Sequence, residues 1–504
     1  MSKYDIVIIG SGLGGMECAY ILAKEGYKVC LLEKNRQLGG NLQIFVRDKV
    51  IFDTGVHYIG GLDEGQNLYR FFSYLGLMDK LKLRRMDESG FDRVTFDNDP
   101  MEYPHAMGYE RFYETLAAIF PNEREGLKLY CDKLQEACDS FPIYRVRDAV
   151  FNEDDLSYLN IGAKSFIETC VQDPKLRNVL AGTNALYAGY ADRTPLYVHA
   201  LVVNTYIESA WKCVDGGAQI ARLLAKGIKD HGGEIYNYCE VSKIEMGSEG
   251  ATAVLTTDGR RFEGKQFISN IHPVQTLDMI EEGFVRKSFR KRIAGLDNSI
   301  SIFTVHIVFK PDTFEYLNYN YYHSKNSDAW AAIHYTEKNW PENYIVFVPA
   351  SSKSGKYADS MNVMSYMRYE EVEKWAHTLN VIPHRQASRG ADYQEFKQIK
   401  AEKLLTELEK KFPGIRDKIQ SYHVSTPLSY RDYIGTSDGS MYGIAKDYNN
   451  PMMSLLSPRT QIPNLFLTGQ NLNMHGMLGV TVGAIMTCSR FLGLKYLMQQ
   501  ISKH

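Results

Sequence analysis

The chain has 504 residues, 44% of them hydrophobic and 23% charged, with a formal net charge of −2. That length exceeds one simple core, so two or three domains are expected, and the balanced charge offers no footprint for nucleic acid. The sequence has no run of eighteen apolar residues to cross a membrane, and its eight Cys, none in a C-x-x-C pair, read as reduced intracellular thiols.

The first predicted element is a strand at Asp5-Ile6-Val7-Ile8-Ile9, a short β-branched run of the kind buried on both faces. It is too short for the core of a signal peptide. Gly10-Ser11-Gly12-Leu13-Gly14-Gly15 follows and satisfies G-x-G-x-x-G. A helix carrying Ala19, Ile21, Leu22 and Ala23 ends at Gly26, and a second strand, Lys28 to Leu32, closes on Glu33. Gly10 permits the tight turn, Gly12 lets backbone approach a pyrophosphate, and Gly15 lets helix and strand pack closely. The helix N-terminus presents free N–H groups to phosphate. Glu33 suits ribose hydroxyls and disfavours a 2′-phosphate, and with it NADP in this site. Strand, glycine loop, helix and acid stand in the order a dinucleotide site requires.

Next come Gly39-Gly40-Asn41 and a strand, Val50 to Asp53, running into Thr54-Gly55-Val56-His57-Tyr58-Ile59-Gly60-Gly61. Residues 109–139 read as charged helix. Ile220, Leu223, Leu224 and Ile228 have helical spacing after Asp215-Gly216-Gly217, and Gly232-Gly233 stops that helix. A strand at 234–245 and a hairpin turning at Asp258-Gly259 follow. Residues 284–292 are basic with interspersed Phe and read either as a membrane-surface patch or as a solvated helix face, the second being favoured. Ser301–Phe309 reads as a strand, and 369–379 and 395–411 read as helices. Near the C-terminus a strand at Asn464-Leu465-Phe466-Leu467 runs into Thr468-Gly469-Gln470-Asn471 and a glycine-studded stretch to Gly483, and a helix closes the chain.

Glu33-Lys34 with Gly39-Gly40-Asn41, and the run Phe52 to Gly61, resemble the flavin-binding start of the phytoene desaturase, carotenoid isomerase and retinol saturase family. They are more distantly similar to amine oxidases. The 215–224 segment, Leu465 to Gln470, and Gly435 to Gly443 resemble further family elements, so the likeness spans the chain. It departs from the family at Ser209 to Gly217, where other members carry an aromatic-Pro-x-Gly-Gly run. The resemblance implies an α/β fold of amine-oxidase and GDP-dissociation-inhibitor (GDI) type. A Rossmann-type FAD-binding domain, a parallel sheet with a β-meander, would hold an inserted α+β substrate domain. The first domain is expected to be discontinuous at 1–75, 190–275 and 455–504, with 76–189 and 276–454 forming the second.

The resemblance implies that FAD is held by Gly10, Gly12, Leu13, Gly14, Gly15, Glu33, Lys34, Gly39, Gly40, Asn41, Thr54, Gly55, His57, Val241, Gly469, Gln470, Asn471, Gly479, Val480 and Thr481. Val241 falls where family members present backbone to the adenine. Catalytic candidates are His57, Tyr58 and His475, placed by the two flavin-facing loops, since His and Tyr can exchange protons. Tyr187, His199 and Tyr442 are candidate substrate contacts, and no metal site is expected. With 34 Tyr and 23 Phe the chain is rich in side chains suited to a long lipophilic ligand. The expected activity is reduction or desaturation at a C=C bond of a polyene or isoprenoid. Redox-neutral cis–trans isomerisation, amine oxidation and non-catalytic prenyl-lipid escort stand as alternatives. With one dinucleotide fingerprint, electrons are expected from NAD(P)H at the flavin face or from a redox partner. The expected location is cytoplasmic, with peripheral membrane contact as the variant.

Overall fold

A computed structural model describes residues 3–146, 158–353, 355–380 and 389–504. Its first sheet is built around Tyr4–Ile9, which pairs in parallel with Val29–Leu32 on one side and Arg261–Ser269 on the other. Glu234–Tyr236 extends the sheet beyond Val29–Leu32, and Leu465–Leu467 pairs in parallel with Arg261–Ser269. The N-terminal half of Arg261–Ser269 instead joins Ala251–Thr256 and Val241–Met246 in an antiparallel meander. Side chains alternate across a strand, so Ile6 and Ile8 enter one apolar core while Val7 and Ile9 enter another. Val29 and Leu31 against Cys30 and Leu32 divide the same way. This two-sided burial is why the sequence reads as continuous apolar runs.

The helix Leu13–Lys24 is buried along nearly its whole length, packed between the helices Ala218–Asp230 and Gly476–Leu492. At its centre Glu17 is 0% exposed, with Oε2 unpartnered and Oε1 2.7 Å from Thr481 Oγ1. Thr481 has one hydrogen, and Met477 O lies 2.9 Å away as a second acceptor. A protonated Glu17 resolves this, donating to Thr481 while Thr481 donates to Met477. Burial pushes its carboxyl from 4.5 up to about 8. A raised carboxyl contributes stability that is present at low pH and lost as pH rises through the folded-state value. Glu17→Gln is therefore expected to gain on wild type by about 1 kcal/mol per pH unit between about pH 5 and 8. Denaturant midpoints at both ends of that window check this. A constant difference would mean an ionised Glu17.

The second sheet has seven strands in the order Ile419–Ser425, Ser301–Phe309, Ser360–Met367, Asn343–Phe347, Asn320–Ser324, Asp92–Phe96, Tyr103–His105. All its pairs are antiparallel except Asn320–Ser324 with Asp92–Phe96. Every residue of Ser301–Phe309 is buried. Helices Tyr109–Ile119, Arg124–Asp139 and Leu196–Glu208 pack together beside the sheet, and the last is buried almost all round. No helix among the described residues is long and apolar enough to cross a membrane.

Three local expectations change. The strand read at 234–245 is two strands, because Tyr238 takes a left-handed φ of 51° and turns the chain from the parallel sheet into the meander. Residues 369–379 form two short 3₁₀ turns, Tyr369–Glu371 and Glu373–Trp375, separated where Val372 leaves helical φ at −118°. The last predicted helix of that region starts earlier, at Ala391, after Gly390 at φ 94°. The basic segment forms the helix Lys287–Ala294. Phe289 packs onto the second core and Arg290 donates to the carbonyls of Leu277 and Ile280, while Phe284 stays exposed.

Candidate active site

One cavity of about 580 Å³ runs from Glu33, at the end of Val29–Leu32, to an aromatic chamber against the second sheet. Its first half is backbone. Gly10 turns with φ 90° and donates its N–H to Leu32 O at 2.8 Å. Gly12 caps Leu13–Lys24 with no side-chain acceptor, which leaves the first-turn N–H groups and the positive end of the helix dipole directed at the cavity. A Cβ on Gly15 would lie 2.2 Å from Gly10 O, and one on Gly40 would lie 3.1 Å from Gly12 Cα. Helix, strand and second glycine loop therefore pack backbone to backbone.

Glu33 is positioned by three donors. Oε2 accepts from Ser11 N (3.0 Å) and Ser11 Oγ (2.5 Å), and Oε1 accepts from Asn35 N (2.8 Å). Lys34 lines the wall and donates to Asp432 O at 3.2 Å, tying the strand end to the segment that carries Tyr433 and Gly435. Val241 closes the same end, with Met279. At the middle stands Asn270, which follows the strand Arg261–Ser269 and donates to Gly10 O at 3.3 Å. Cβ atoms on Gly12, Gly14 and Gly469 would approach its side chain to 2.7, 3.0 and 2.5 Å. Much of the glycine pattern therefore accommodates one asparagine that links the two ligand-facing loops.

Of the expected cofactor residues, Gly10, Gly12, Leu13, Gly14, Glu33, Lys34, Gly39, Gly40, Asn41, Gly55, His57, Val241, Gly469, Gln470, Asn471 and Val480 line the cavity. Gly15, Thr54, Gly479 and Thr481 lie behind the wall. Thr54 Oγ1 donates to Gln43 O (2.8 Å) and so sets the turn that presents Gly55. Gly479 packs against Met474, and Thr481 contacts Glu17.

The far chamber is lined by Tyr58, Tyr206, Tyr322, Phe347, Met364 and Tyr442. His57 stacks on Phe347 with centroids 4.5 Å apart and an 8° interplanar angle. Both its ring nitrogens are buried without a partner, and burial pushes its pKa down to about 3. It is a neutral ring on the cavity wall whose polar atoms have no protein partner, so its hydrogen bonds are open to whatever fills the cavity. Tyr58 differs. Its hydroxyl lies 2.7 Å from both Asp92 Oδ2 and Tyr322 Oη, wholly buried.

Three expected residues leave the cavity. His475 turns its Nε2 to Leu186 O (3.3 Å), and its ring stacks on Tyr442 at 4.2 Å, behind the wall. Burial pushes it down to about 4, so it is neutral as well. His199 is 0% exposed because its two nitrogens are taken by Tyr130 and Tyr187 hydroxyls, each at 2.9 Å. It ties helices together in the core. Tyr187 goes with it, lining only a void of about 20 Å³ beside Lys446 and His475. Tyr442 does line the chamber and donates to Ala185 O at 3.1 Å. Sequence reasoning missed Ser11, Asn270, Tyr206, Tyr322 and Phe347. Asn270 had a usable signal, a polar residue at the tip of a buried strand beside the glycine loop.

Residues 8–75 match the NAD(P)-binding Rossmann-like domain family. The chain is 26% identical to the all-trans-retinol 13,14-reductase of Rattus norvegicus, over 97% of this chain and 86% of that one. It is 24% identical to the chloroplastic prolycopene isomerase 2 of an Oncidium hybrid cultivar, over 97% of this chain and 84% of that one. Its fold is that of the amine oxidases: the solved cyclohexylamine oxidase of Brevibacterium oxydans superposes with a TM-score of 0.60 at 14% identity, covering 99% of this chain and 100% of that one.

Proposed function

Because the chain belongs to the carotenoid isomerase and retinol saturase family of FAD-dependent oxidoreductases, we propose that it transfers hydrogen at a C=C bond of a lipophilic polyene or isoprenoid, with FAD as cofactor. The observation that carries this reading is the continuity of the cavity from a backbone-lined, acid-tipped cradle to an aromatic chamber. A dinucleotide needs the first, and a chain with no heteroatom to grip needs the second.

The residues fit FAD. Glu33 would hold the ribose, the N-terminus of Leu13–Lys24 the pyrophosphate, and Gly39, Gly40, Gly55 and Gly469 leave room for close backbone approach. Val241 would meet the adenine. His57 would present one N–H and one acceptor to the ring system without titrating near neutrality. The bound flavin supplies or accepts the hydride. The protein's share is to orient the polyene by aromatic contact, exclude water and manage the accompanying proton. NAD(P)H or a redox protein would supply electrons.

The relatives also support redox-neutral isomerisation, as in the prolycopene isomerases. Product mass separates the two: saturation adds two hydrogens and isomerisation adds none. Mass spectrometry after turnover of a retinoid and carotenoid panel decides it. An unchanged mass with altered double-bond geometry would overturn the reductase reading.

A further inference from the structure

We propose that Tyr322, Tyr58 and Asp92 form a proton relay whose cavity-facing end, Tyr322, gives up the proton that reduction of a C=C bond consumes; this rests on the polyene reductase reading.

The three residues come from separate segments and meet in one line. Tyr58 Oη stands 2.7 Å from Asp92 Oδ2 and 2.7 Å from Tyr322 Oη. Asn320 Nδ2 donates to Asp92 Oδ1 at 2.8 Å. Asp92 is 1% exposed, so the line is closed at its inner end; Tyr58 and Tyr322 both line the chamber, and Tyr322, joined to Asp92 through Tyr58, is the terminal hydroxyl. The groups facing Asp92 are Tyr58, Tyr322 and Asn320, with Tyr206 packed on Tyr58 at 4.4 Å, Lys212 as the nearby cation, and His105 opposite it across the strand pair. His105 is turned away to Val179 O, and Lys212 donates to the carbonyls of Leu317 and Val348.

Two hydroxyls in series can point either way. With Asp92 ionised, Tyr322 donates to Tyr58 and Tyr58 to the carboxylate. With Asp92 protonated, the acid donates to Tyr58, Tyr58 donates to Tyr322, and the hydrogen of Tyr322 is released to the cavity. One proton stored at Asp92 is thus one proton offered to the ligand. Burial pushes the Asp92 carboxyl up to about 7, which keeps the store filled below neutrality.

The balance is simple. The reduced flavin, when bound, would supply hydride to one carbon of the double bond. As the other carbon forms its C–H bond, the Tyr322 O–H breaks. Tyr58 reprotonates Tyr322, Asp92 reprotonates Tyr58, and the negative charge rests on Asp92 beside Asn320 and near Lys212. Solvent reloads the acid after product leaves.

The test uses flavin-loaded Tyr322→Phe, Tyr58→Phe and Asp92→Asn, which conserve shape. Retained flavin absorbance verifies folding. Tyr322→Phe is expected to lose about 10²–10⁴-fold in kcat with KM unchanged. Wild-type kcat is expected to fall above about pH 7, and Asp92→Asn to abolish that limb. A second readout needs no substrate: difference infrared spectra of wild type should carry a protonated-carboxyl band at pH 6 that is absent from Asp92→Asn. Tyr322→Phe with wild-type kcat and pH profile overturns the relay. If wild type turns over no polyene, the reductase reading fails, and the infrared band then decides the relay alone, its absence overturning it.

Discussion

Gly15→Ala is expected to yield a protein that purifies without flavin and unfolds earlier than wild type. The added Cβ would stand 2.2 Å from Gly10 O, far inside contact distance, and both partners are backbone. Neither can swing away. Gly10 is fixed by its own bond to Leu32 O and by Asn270 Nδ2, and Gly15 sits in the first turn of a helix buried along its length. The helix must therefore slide off the strand, which costs about 1–3 kcal/mol as overpacking. The same slide carries the helix N-terminus away from the proposed phosphate position, where alignment decides affinity. A loss of about 30- to 150-fold in flavin affinity follows if about two to three kcal/mol of that contact is lost. The ratio of flavin to protein absorbance, and titration of apoprotein with FAD, check it. A yellow, fully loaded Gly15→Ala would refute the packing argument.

Asn270→Asp is the second large effect, and it isolates charge from shape. The side chains are isosteric, so the fit against Gly12, Gly14, Gly15 and Gly469 survives. What changes is the sign of the group facing Gly10 O, 3.3 Å away in wild type. A donor becomes a carboxylate that opposes the carbonyl and lies beside the expected pyrophosphate. Losing that bond and leaving the carbonyl unpaired costs about 1–3 kcal/mol, or about 10- to 100-fold in affinity. Repulsion and burial both favour the protonated acid, so the deficit should be large at pH 8 and shrink at pH 5.5. Quenching of flavin fluorescence at both values measures it. Equal, wild-type affinity at both would mean that Asn270 supports neither loop nor ligand.

The features legible in the sequence were local ones. Tyr4–Ile9 announces itself because a strand buried on both faces must be apolar throughout. Gly10, Gly12, Gly15 and Glu33 announce themselves because a turn, a cradle and a ribose acceptor must follow that strand at fixed spacing. The Asp258-Gly259 turn is equally local, with Gly259 at φ 84°. What stayed hidden depends on distant partners or rare backbone. Tyr58 meets Asp92 and Tyr322 from positions 34 and 264 residues away, which no spacing encodes. Tyr238 takes a left-handed φ that a tyrosine does not advertise, so one expected strand became two. His199 sat on an apolar helix and resembled a cavity-lining residue. Its two tyrosine partners, at positions 130 and 187, make it a core tie instead. Asn270 is hidden because a glycine motif reads as room for a ligand, whereas here the room is shared with a side chain.

These observations divide the site by task. Backbone at one end would grip the proposed dinucleotide, a neutral histidine with unpartnered nitrogens leaves hydrogen bonds for a ligand to complete, and aromatic walls suit a chain without polar handles. Asp92 and Lys212, both buried, lie behind that chamber, where burial moves both to about 7 from opposite directions.

Hydrogen exchange between this site and a polyene, as proposed, is tested most directly by an anaerobic half-reaction. The flavin of the purified protein is reduced chemically, retinoids and carotenoids are added one at a time, and flavin and polyene absorbance are followed together. One class of polyene is expected to reoxidise the flavin while losing polyene absorbance in equal amount. Flavin that stays reduced with every polyene, whether or not the polyene spectrum shifts, would contradict it.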